Sequence, residues 1–570
     1  MKARDVYQQW LESPVVDEKT KEDLRERKDD PEEIEELFHG SLRFGTAGLR
    51  GKMRPGTAGM NIYTVRQVTR ALADRIREAG GEKRGVCLAF DSRHNSQSFA
   101  EETARVLCRA GIKAYLFEKP RPTPELSFAV RETGALAGIN ITASHNTKEY
   151  NGYKVYWEDG AQIDPQLAEE IAARMETIDP LEPVEFADEK EELLVPLGSA
   201  MDEKYMRAVL REGCAKAYVD QYGKDLKIIY TPFHGAGREI VPEVLRRDGF
   251  QSVIPVAEQM VLDGDFPTVL SPNPEYLEGF AMAISLAEKE GADLIIGTDP
   301  DSDRCGVVVK DDAGYEILTG NQLGVLLLDF VIRMEREEGR LTQRSAVLRS
   351  NVSTRMADAI CERNGLPIFE TPTGFKYIGK KIREFEETGS YDFLFGFEES
   401  NGYLKGTYAR DKDAVLASLL TAEMACLYRK EGKTIKEALQ TLYDQYGYYS
   451  EKVMALSMEG KEGREKTRAI MEGFRKHPPE AIAGLPVQAV QDYRDGEVRN
   501  GSGQVIEKID GVRSDMLTFC LEGGSHFIVR PSGTEPKIKF YVMMRGEDEK
   551  EAIARQGRGL EEAKDMVSGV

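Results

Sequence analysis

The chain has 570 residues, 41% hydrophobic and 31% charged, with a formal net charge of −21. That length exceeds one hydrophobic core and points to about three to five domains. The negative charge excludes nucleic acid and anionic membrane as main partners, and no apolar run reaches transmembrane length.

Residues 1 to about 40 read as an acidic helical lead-in. Beyond them apolar strands alternate with amphipathic helices, the pattern of α/β domains with mostly parallel sheets. The pattern predicts strands over 86–90, 114–117 and 136–141, and helices over 96–110 and 124–133. In the first of these helices Ala100, Ala104 and Leu107 share one face. Pro180 and Pro183 interrupt the pattern and mark a connection. Further α/β stretches follow over 201–310 and 319–446, and after Tyr449 shorter strands and helices predict an α+β domain. The expected division is 1–200, 201–318, 319–447 and 448–570: three similar α/β domains with mixed, mostly parallel sheets, then a smaller C-terminal α+β domain.

Seven scattered cysteines with no C-x-x-C pair exclude a disulfide framework and a zinc knuckle. The first twenty residues lack the apolar stretch of a secretory signal. A reduced, cytoplasmic enzyme is the expectation.

Three times an apolar strand containing a glycine runs into a polar loop: 136–141 into Thr142, 294–297 into Thr298-Asp299, and 393–397 into Glu398. In open α/β sheets ligands gather at the carboxyl ends of strands, so three such loops can share one site. In the first loop, Thr142-Ala143-Ser144-His145-Asn146 is followed by Asn151-Gly152-Tyr153-Lys154. That places a nucleophilic Ser144 at a strand end with a cation near it. A G-x-S-x-G elbow is absent. Adjacent side chains of an extended segment point apart, so His145 is expected to be badly placed as a base for Ser144.

The second loop, Asp299-Pro300-Asp301-Ser302-Asp303, sets carboxylates at alternate positions. In an extended segment the three would face one side and suit Mg²⁺, a hard cation that takes oxygen ligands. An EF-hand is excluded, since Arg304 stands where its glycine belongs and Lys310 where its glutamate belongs. A solvated acidic turn is the bland alternative, but apolar strands on both sides hold this loop at a sheet end. Arg304 either neutralises the acidic cluster or reaches a phosphate.

Arg50 lies in a glycine-rich stretch, 44–51, that reads as a turn open to an anion. Lys154 is either a phosphate contact or, with a lowered pKa, a proton-transfer partner. The third loop, Gly396-Phe397-Glu398-Glu399-Ser400, offers acceptors suited to sugar hydroxyls, and Thr373-Gly374-Phe375-Lys376 adds a glycine turn and a cation. Arg530-Pro531-Ser532-Gly533-Thr534, between strands expected over 527–529 and 538–543, suits a phosphate cradle, although Pro and Gly alone explain a hairpin turn.

Taken in order, TASHN with NGYK, DPDSDR, GFEES and RPSGTEP resemble the four motif regions of the α-D-phosphohexomutase superfamily over nearly the whole chain. The resemblance implies four domains around a central cleft. It implies a phosphorylated Ser144 and Mg²⁺ on Asp299, Asp301, Asp303 and that phosphate. It makes Ser144, Lys154, Arg50, His145 and Lys376 the catalytic candidates. Arg304, Thr373, Gly374, Glu398 and Ser400 are the implied substrate contacts, and Arg530, Ser532, Gly533 and Thr534 the phosphate contacts. The implied reaction interconverts glucose 1-phosphate and glucose 6-phosphate through glucose 1,6-bisphosphate. GFEES resembles the glucose-preferring members, and the contexts around DPDSDR and TPTGFK resemble long bacterial phosphoglucomutases. Mannose and pentose phosphates stay open as substrates, and a metal-dependent sugar-phosphate phosphatase is the rival outside the class. Partners are expected to be small sugar phosphates, with no nucleic acid and no membrane, in a monomer or weak homo-oligomer.

Overall fold

The structure, a computed structural model, describes residues 2–45, 48–182, 192–311, 314–458, 460–511, 513–532 and 537–568. It divides into two compact units, Met1–Arg349 with Gly374–Ile435, and Ser350–Thr373 with Lys436–Val570.

The first unit opens with the expected helical lead-in, Ala3–Glu12, Glu18–Glu26 and Pro31–Phe38. Asp17 and Asp30 cap the second and third helices, accepting from Thr20 N and from Glu32 and Glu33 N. Charge on its outer surface hides a core of its own. Tyr7, Trp10, Leu24, Ile34, Leu37 and Phe38 pack on Tyr63, which belongs to the next helix, Ile62–Glu78. Trp10 meets Phe38 and Tyr63 edge to face.

The first sheet contains β1 (Gly48–Lys52), β2 (Val86–Phe90), β3 (Ala114–Phe117), β4 (Ala137–Ile141), β5 (Tyr150–Trp157) and β6 (Leu194–Leu197), in the order β1-β5-β4-β2-β3-β6. Strands β4, β2, β3 and β6 are parallel, and β5 and β1 add an antiparallel edge. The second sheet contains β7 (Lys227–Thr231), β8 (Ser252–Pro255), β9 (Leu294–Thr298), β10 (Cys305–Asp311) and β11 (Gly314–Ile317), ordered β11-β10-β9-β7-β8. Here β9, β7 and β8 are parallel while β10 and β11 turn back antiparallel. Of the next four strands, β13 (Ile368–Thr371) belongs to the second unit. In the first unit residues 345–349 of β12 (Ser345–Ser350) pair parallel with β14 (Asp392–Glu398), and β14 pairs antiparallel with β15 (Gly402–Lys405).

All three sheets share one device. A buried parallel strand enters the functional loop, and an antiparallel neighbour leaves it: β4 to β5, β9 to β10, β14 to β15. Buried central strands read as unbroken apolar runs, which is why 137–141 and 294–298 were legible. The strand glycine has a packing reason at Gly297, where a Cβ would come within 2.5 Å of the Phe280 ring.

The second unit carries an antiparallel sheet of β16 (Tyr448–Ser457), β18 (Leu485–Asp492), β19 (Glu497–Asn500), β20 (Val505–Lys508), β21 (Leu517–Leu521), β22 (His526–Pro531) and β23 (Lys537–Gly546), ordered β16-β23-β22-β21-β18-β19-β20. A short strand, β17 (Ala481–Ile482), pairs with β18. Helices Gly460–Lys476 and Glu549–Ser568 supply Ile470, Met471, Phe474, Ala563 and Val567 to the core under this sheet, with Phe519, Phe527, Phe540 and Val542. The α+β character expected for this region is present. Among the described residues no helix is long and apolar enough to cross a membrane, and all seven cysteines are free thiols.

Trp10→Ala is expected to cost about 3–5 kcal/mol of stability in the lead-in and the helix it covers. A urea titration followed by circular dichroism should show an earlier transition, and an unchanged midpoint would refute the packing role.

Candidate active site

Strand β4 ends in Thr142, whose Oγ1 accepts the Ser144 backbone N–H at 2.8 Å. Ser144 is buried and takes a left-handed backbone, φ 52°, a region that non-glycine residues seldom occupy. Its Oγ donates to Asp299 Oδ2 at 2.9 Å. The same twist overturns the expectation for His145. Its Nδ1 lies 3.2 Å from Ser144 Oγ, because a left-handed residue breaks the alternation of an extended segment and brings the neighbours together. Burial, then the positive charges of Arg304, Arg50 and Lys154, hold the His145 pKa well below its ordinary value. These influences favour the neutral imidazole and make it a weak base, and since Ser144 Oγ donates to Asp299, Nδ1 faces Oγ as a donor.

The three aspartates converge as expected, but by a different geometry. Residues 300–302 form a turn, with Ser302 left-handed at φ 53°, in place of an extended segment. All three carboxylates are fully buried, and their ligand atoms lie within 4.8 Å of one another. Each keeps one oxygen engaged by the protein. Asp299 Oδ1 accepts the backbone N–H groups of Asp303 and Arg304 at 3.1 and 2.9 Å. Asp301 Oδ2 accepts from Lys154 Nζ at 2.7 Å and Thr123 Oγ1 at 2.8 Å. Asp303 Oδ2 lies 2.8 Å from Lys412 Nζ and 3.4 Å from Lys154 Nζ. The remaining oxygens, Asp301 Oδ1 and Asp303 Oδ1, are buried with no hydrogen-bond partner among the described residues. Two orphaned carboxylate oxygens beside Asp299 Oδ2 and Ser144 Oγ form an all-oxygen donor set that fits a hard divalent cation.

Charges here are mutually adjusted. Burial and the neighbouring carboxylates raise the Asp299 pKa well above its ordinary value. Burial also acts on Asp301, but the Lys154 ammonium outweighs it and holds that carboxyl below its usual range. Lys154 itself is raised, since Asp301 and Asp303 overcome the desolvation that would lower it. Its ammonium thus lies paired with two of the three aspartates.

Arg50 is not in a turn. It sits on β1, opposite Gly152 of β5, and its Nη1 donates to Asn146 Oδ1 at 3.0 Å. Gly48, two residues before it, serves strand packing: a Cβ there would lie 1.9 Å from Tyr153 O. Thr46 and Ala47, from the same stretch, lie outside the described residues. Arg304 pairs with Glu275 at 2.6 Å, so its charge is shared with that carboxylate while it stays close to the triad.

Glu398 closes β14 as a buried carboxyl whose Oε1 accepts the Gly374 N–H at 2.7 Å. Burial, then the Glu399 charge, push its pKa up to about 7 against the pull of Lys412 and Arg304. Ser400 occupies the turn before β15. Lys376, in the first turn of helix Phe375–Thr388, is pushed down to about 8 by burial, which the Asp164 charge only partly offsets. In the second unit Thr373 Oγ1 donates to Asn351 Oδ1 at 3.0 Å. Arg530 lies on β22 opposite Lys539, and Ser532 N donates to Lys537 O at 2.8 Å. Gly533 and Thr534 lie outside the described residues.

The first unit thus brings together Ser144, His145, Arg50, Lys154 and the three aspartates, with Glu398 in electrostatic reach through Lys412 and Arg304. Sequence reasoning missed Lys412 and Thr123. A usable signal for Lys412 was the charged run Arg410-Asp411-Lys412-Asp413 immediately before an apolar helix, Ala414–Lys430. Asp413 in that run caps the helix, accepting from Val415 and Leu416 N. Thr123 carried no comparable mark beyond its place between two prolines.

Comparison with known proteins shows the family of the chain. Sequence models described as phosphoglucomutase/phosphomannomutase alpha/beta/alpha domains I, II and III match residues 41–182, 203–314 and 319–446, and the family's C-terminal domain matches 489–558. The Phosphoglucomutase of Staphylococcus haemolyticus is 36% identical over 520 residues, covering 90% of this chain and 91% of that protein. That of Staphylococcus aureus strain MRSA252 is 36% identical over 519 residues, covering 90% and 92%. Two solved structures show the same fold. Paramecium pp63/parafusin, a phosphoglucomutase in an open form, aligns with a TM-score of 0.67 at 17% identity, covering 93% of this chain and 95% of that one. A family protein from Burkholderia thailandensis gives 0.66 at 18% identity, covering 93% and 98%. With all four domain models in register, and relatives alike along almost their full length, the chain belongs to the phosphoglucomutase/phosphomannomutase family of α-D-phosphohexomutases.

Proposed function

We propose that this protein interconverts α-D-glucose 1-phosphate and glucose 6-phosphate, with Ser144 as the phosphoryl carrier and glucose 1,6-bisphosphate as the intermediate. The observation that carries the reading is a buried serine hydroxyl 2.9 Å from one aspartate of a triad whose other two members each keep an unpartnered oxygen. Relatives named Phosphoglucomutase at 36% identity support the choice of sugar, as does the GFEES loop.

In the forward half-reaction the bond from Ser144 Oγ to phosphorus breaks as a hydroxyl oxygen of the sugar monophosphate bonds to that phosphorus, and the proton of that hydroxyl ends on Ser144 Oγ. The bisphosphate then turns over, and its other phosphoryl group returns to Ser144 Oγ. Mg²⁺ held by Asp299, Asp301 and Asp303 would supply charge stabilisation to the transferring group. His145, with Nδ1 3.2 Å from Oγ, would hold that oxygen in place by a hydrogen bond. Lys154 and Arg50 would balance charge on the phosphoryl oxygens. Glu398, ionised, would accept hydrogen bonds from sugar hydroxyls with Ser400. Arg530 and Ser532, with Gly533 and Thr534, would hold the phosphate that is not transferring.

Ser144→Ala should abolish turnover of glucose 1-phosphate in a dehydrogenase-coupled assay primed with the bisphosphate, with an unchanged circular dichroism spectrum; wild-type rates from that variant would end the proposal. Chelation should remove activity and added Mg²⁺ restore it, while Asp301→Ala should stay inactive at any Mg²⁺ concentration. Activity that survives chelation would contradict the metal assignment. Glu398 titrates near 7, so its acceptor charge is lost below that pH and KM for glucose 1-phosphate should rise as pH falls through 7. The substrate phosphate titrates near 6, but that contribution is common to a Glu398→Gln variant. The ratio of the two KM profiles should therefore carry the step, and a flat ratio would exclude Glu398 as the hydroxyl acceptor.

A further inference from the structure

We infer that Arg93 is the positioning residue of the carrier loop, holding Ser144 in its left-handed conformation by gathering the loop's carbonyl oxygens around one buried guanidinium. The inference rests on Ser144 being the phosphoryl carrier.

Asp91-Ser92-Arg93 follows β2 directly, next to the end of β4 in the parallel pair. Arg93 is 3% exposed, and each of its five side-chain N–H donors is used. Nε donates to Asp91 Oδ2 at 3.1 Å. Nη1 donates to the carbonyls of Thr147 at 2.8 Å and Tyr150 at 3.2 Å, and Nη2 to those of Ser144 at 2.6 Å and Asn146 at 2.5 Å. These four carbonyls span the connection from β4 to β5. Pointed at one centre they would repel one another, and the cation among them removes that repulsion.

The guanidinium is itself fixed from two sides. Asp91 Oδ1 accepts the Arg93 backbone N–H at 2.9 Å and Ser96 Oγ at 2.7 Å, so the carboxylate cannot rotate away. The ring of Phe266, from the loop that follows β8, lies 5.0 Å from the guanidinium carbon. None of these contacts needs a substrate. Fixing the Ser144 carbonyl fixes the peptide plane that follows Ser144, the Asn146 carbonyl holds the loop just beyond it, and Ser144 Oγ is aimed at Asp299 Oδ2. A lysine cannot replace this arrangement, since its three donors diverge from one nitrogen and cannot span four carbonyls and a carboxylate.

The test uses the full-length protein with glucose 1-phosphate, and glucose 1,6-bisphosphate carrying ³²P as the phosphoryl donor. Arg93→Lys should lower kcat by about 100-fold while KM changes little, and the rate of Ser144 labelling should fall in parallel. Arg93→Ala should regain part of its turnover with added guanidinium and none with methylammonium. Where Arg93→Ala yields no folded protein, the Arg93→Lys variant carries the decision by its kcat-against-KM split. A labelled wild type together with a kcat within twofold in Arg93→Lys, a loss carried by KM, or equal rescue by methylammonium would overturn the inference alone. A wild type that takes no label on Ser144 would overturn the carrier assignment, and the inference with it.

Discussion

Three carboxylates sharing one buried volume is the constraint around which the first unit is arranged. Bringing Asp299, Asp301 and Asp303 to within 4.8 Å away from water is unfavourable unless each charge is met by a donor or a cation. The chain meets it from several directions. Lys154 and Ser144 come from the first sheet and its loop, Lys412 from the segment after β15, and Thr123 from the start of a helix in the first domain. The electrostatic solution therefore requires the three sheets of this unit to be docked, because no single sheet carries enough donors. The Thr123 N–H donating to Asp301 O at 2.8 Å adds a backbone tie at the same junction.

The split between engaged and free oxygens separates structure from chemistry. The engaged oxygens hold the turn in place, Asp299 Oδ2 meets Ser144 Oγ, and Asp301 and Asp303 each keep one oxygen free among the described residues. This also resolves the tension between a net charge of −21 and an anionic substrate. Lys154, Lys412, Arg50 and Arg304 concentrate positive charge around the triad, although two of them are partly spent on the aspartates and Arg304 on Glu275.

Strain sits at the loop tips. Ser144 and Ser302 are both left-handed non-glycine residues, and such conformations persist where surrounding contacts over-determine them. For Ser144 those contacts are the Thr142 hydroxyl and the Arg93 guanidinium. The antiparallel strand that leaves each functional loop contributes as well, since it anchors the far end of the loop in the same sheet as the near end.

The sequence by itself determined the alternation of strands and helices, the loops at strand ends, the serine, the three aspartates and the change of character near the C-terminus. Apolar runs, turn chemistry and residue spacing are local properties, so they can be read without a fold. Tertiary structure alone decided which residues meet. Lys412 reaches Asp303 across 109 positions in the chain, and Thr123 reaches Asp301 across 178. No local pattern encodes either contact. It also decided backbone conformation at single residues. A left-handed Ser144 placed His145 beside its hydroxyl, and a glycine-rich stretch that reads as a turn became the strand carrying Arg50 because Gly48 lets two backbones close on each other. Long-range packing selects among the conformations that local sequence allows, so the chemistry was legible as a set of residues and its geometry was not.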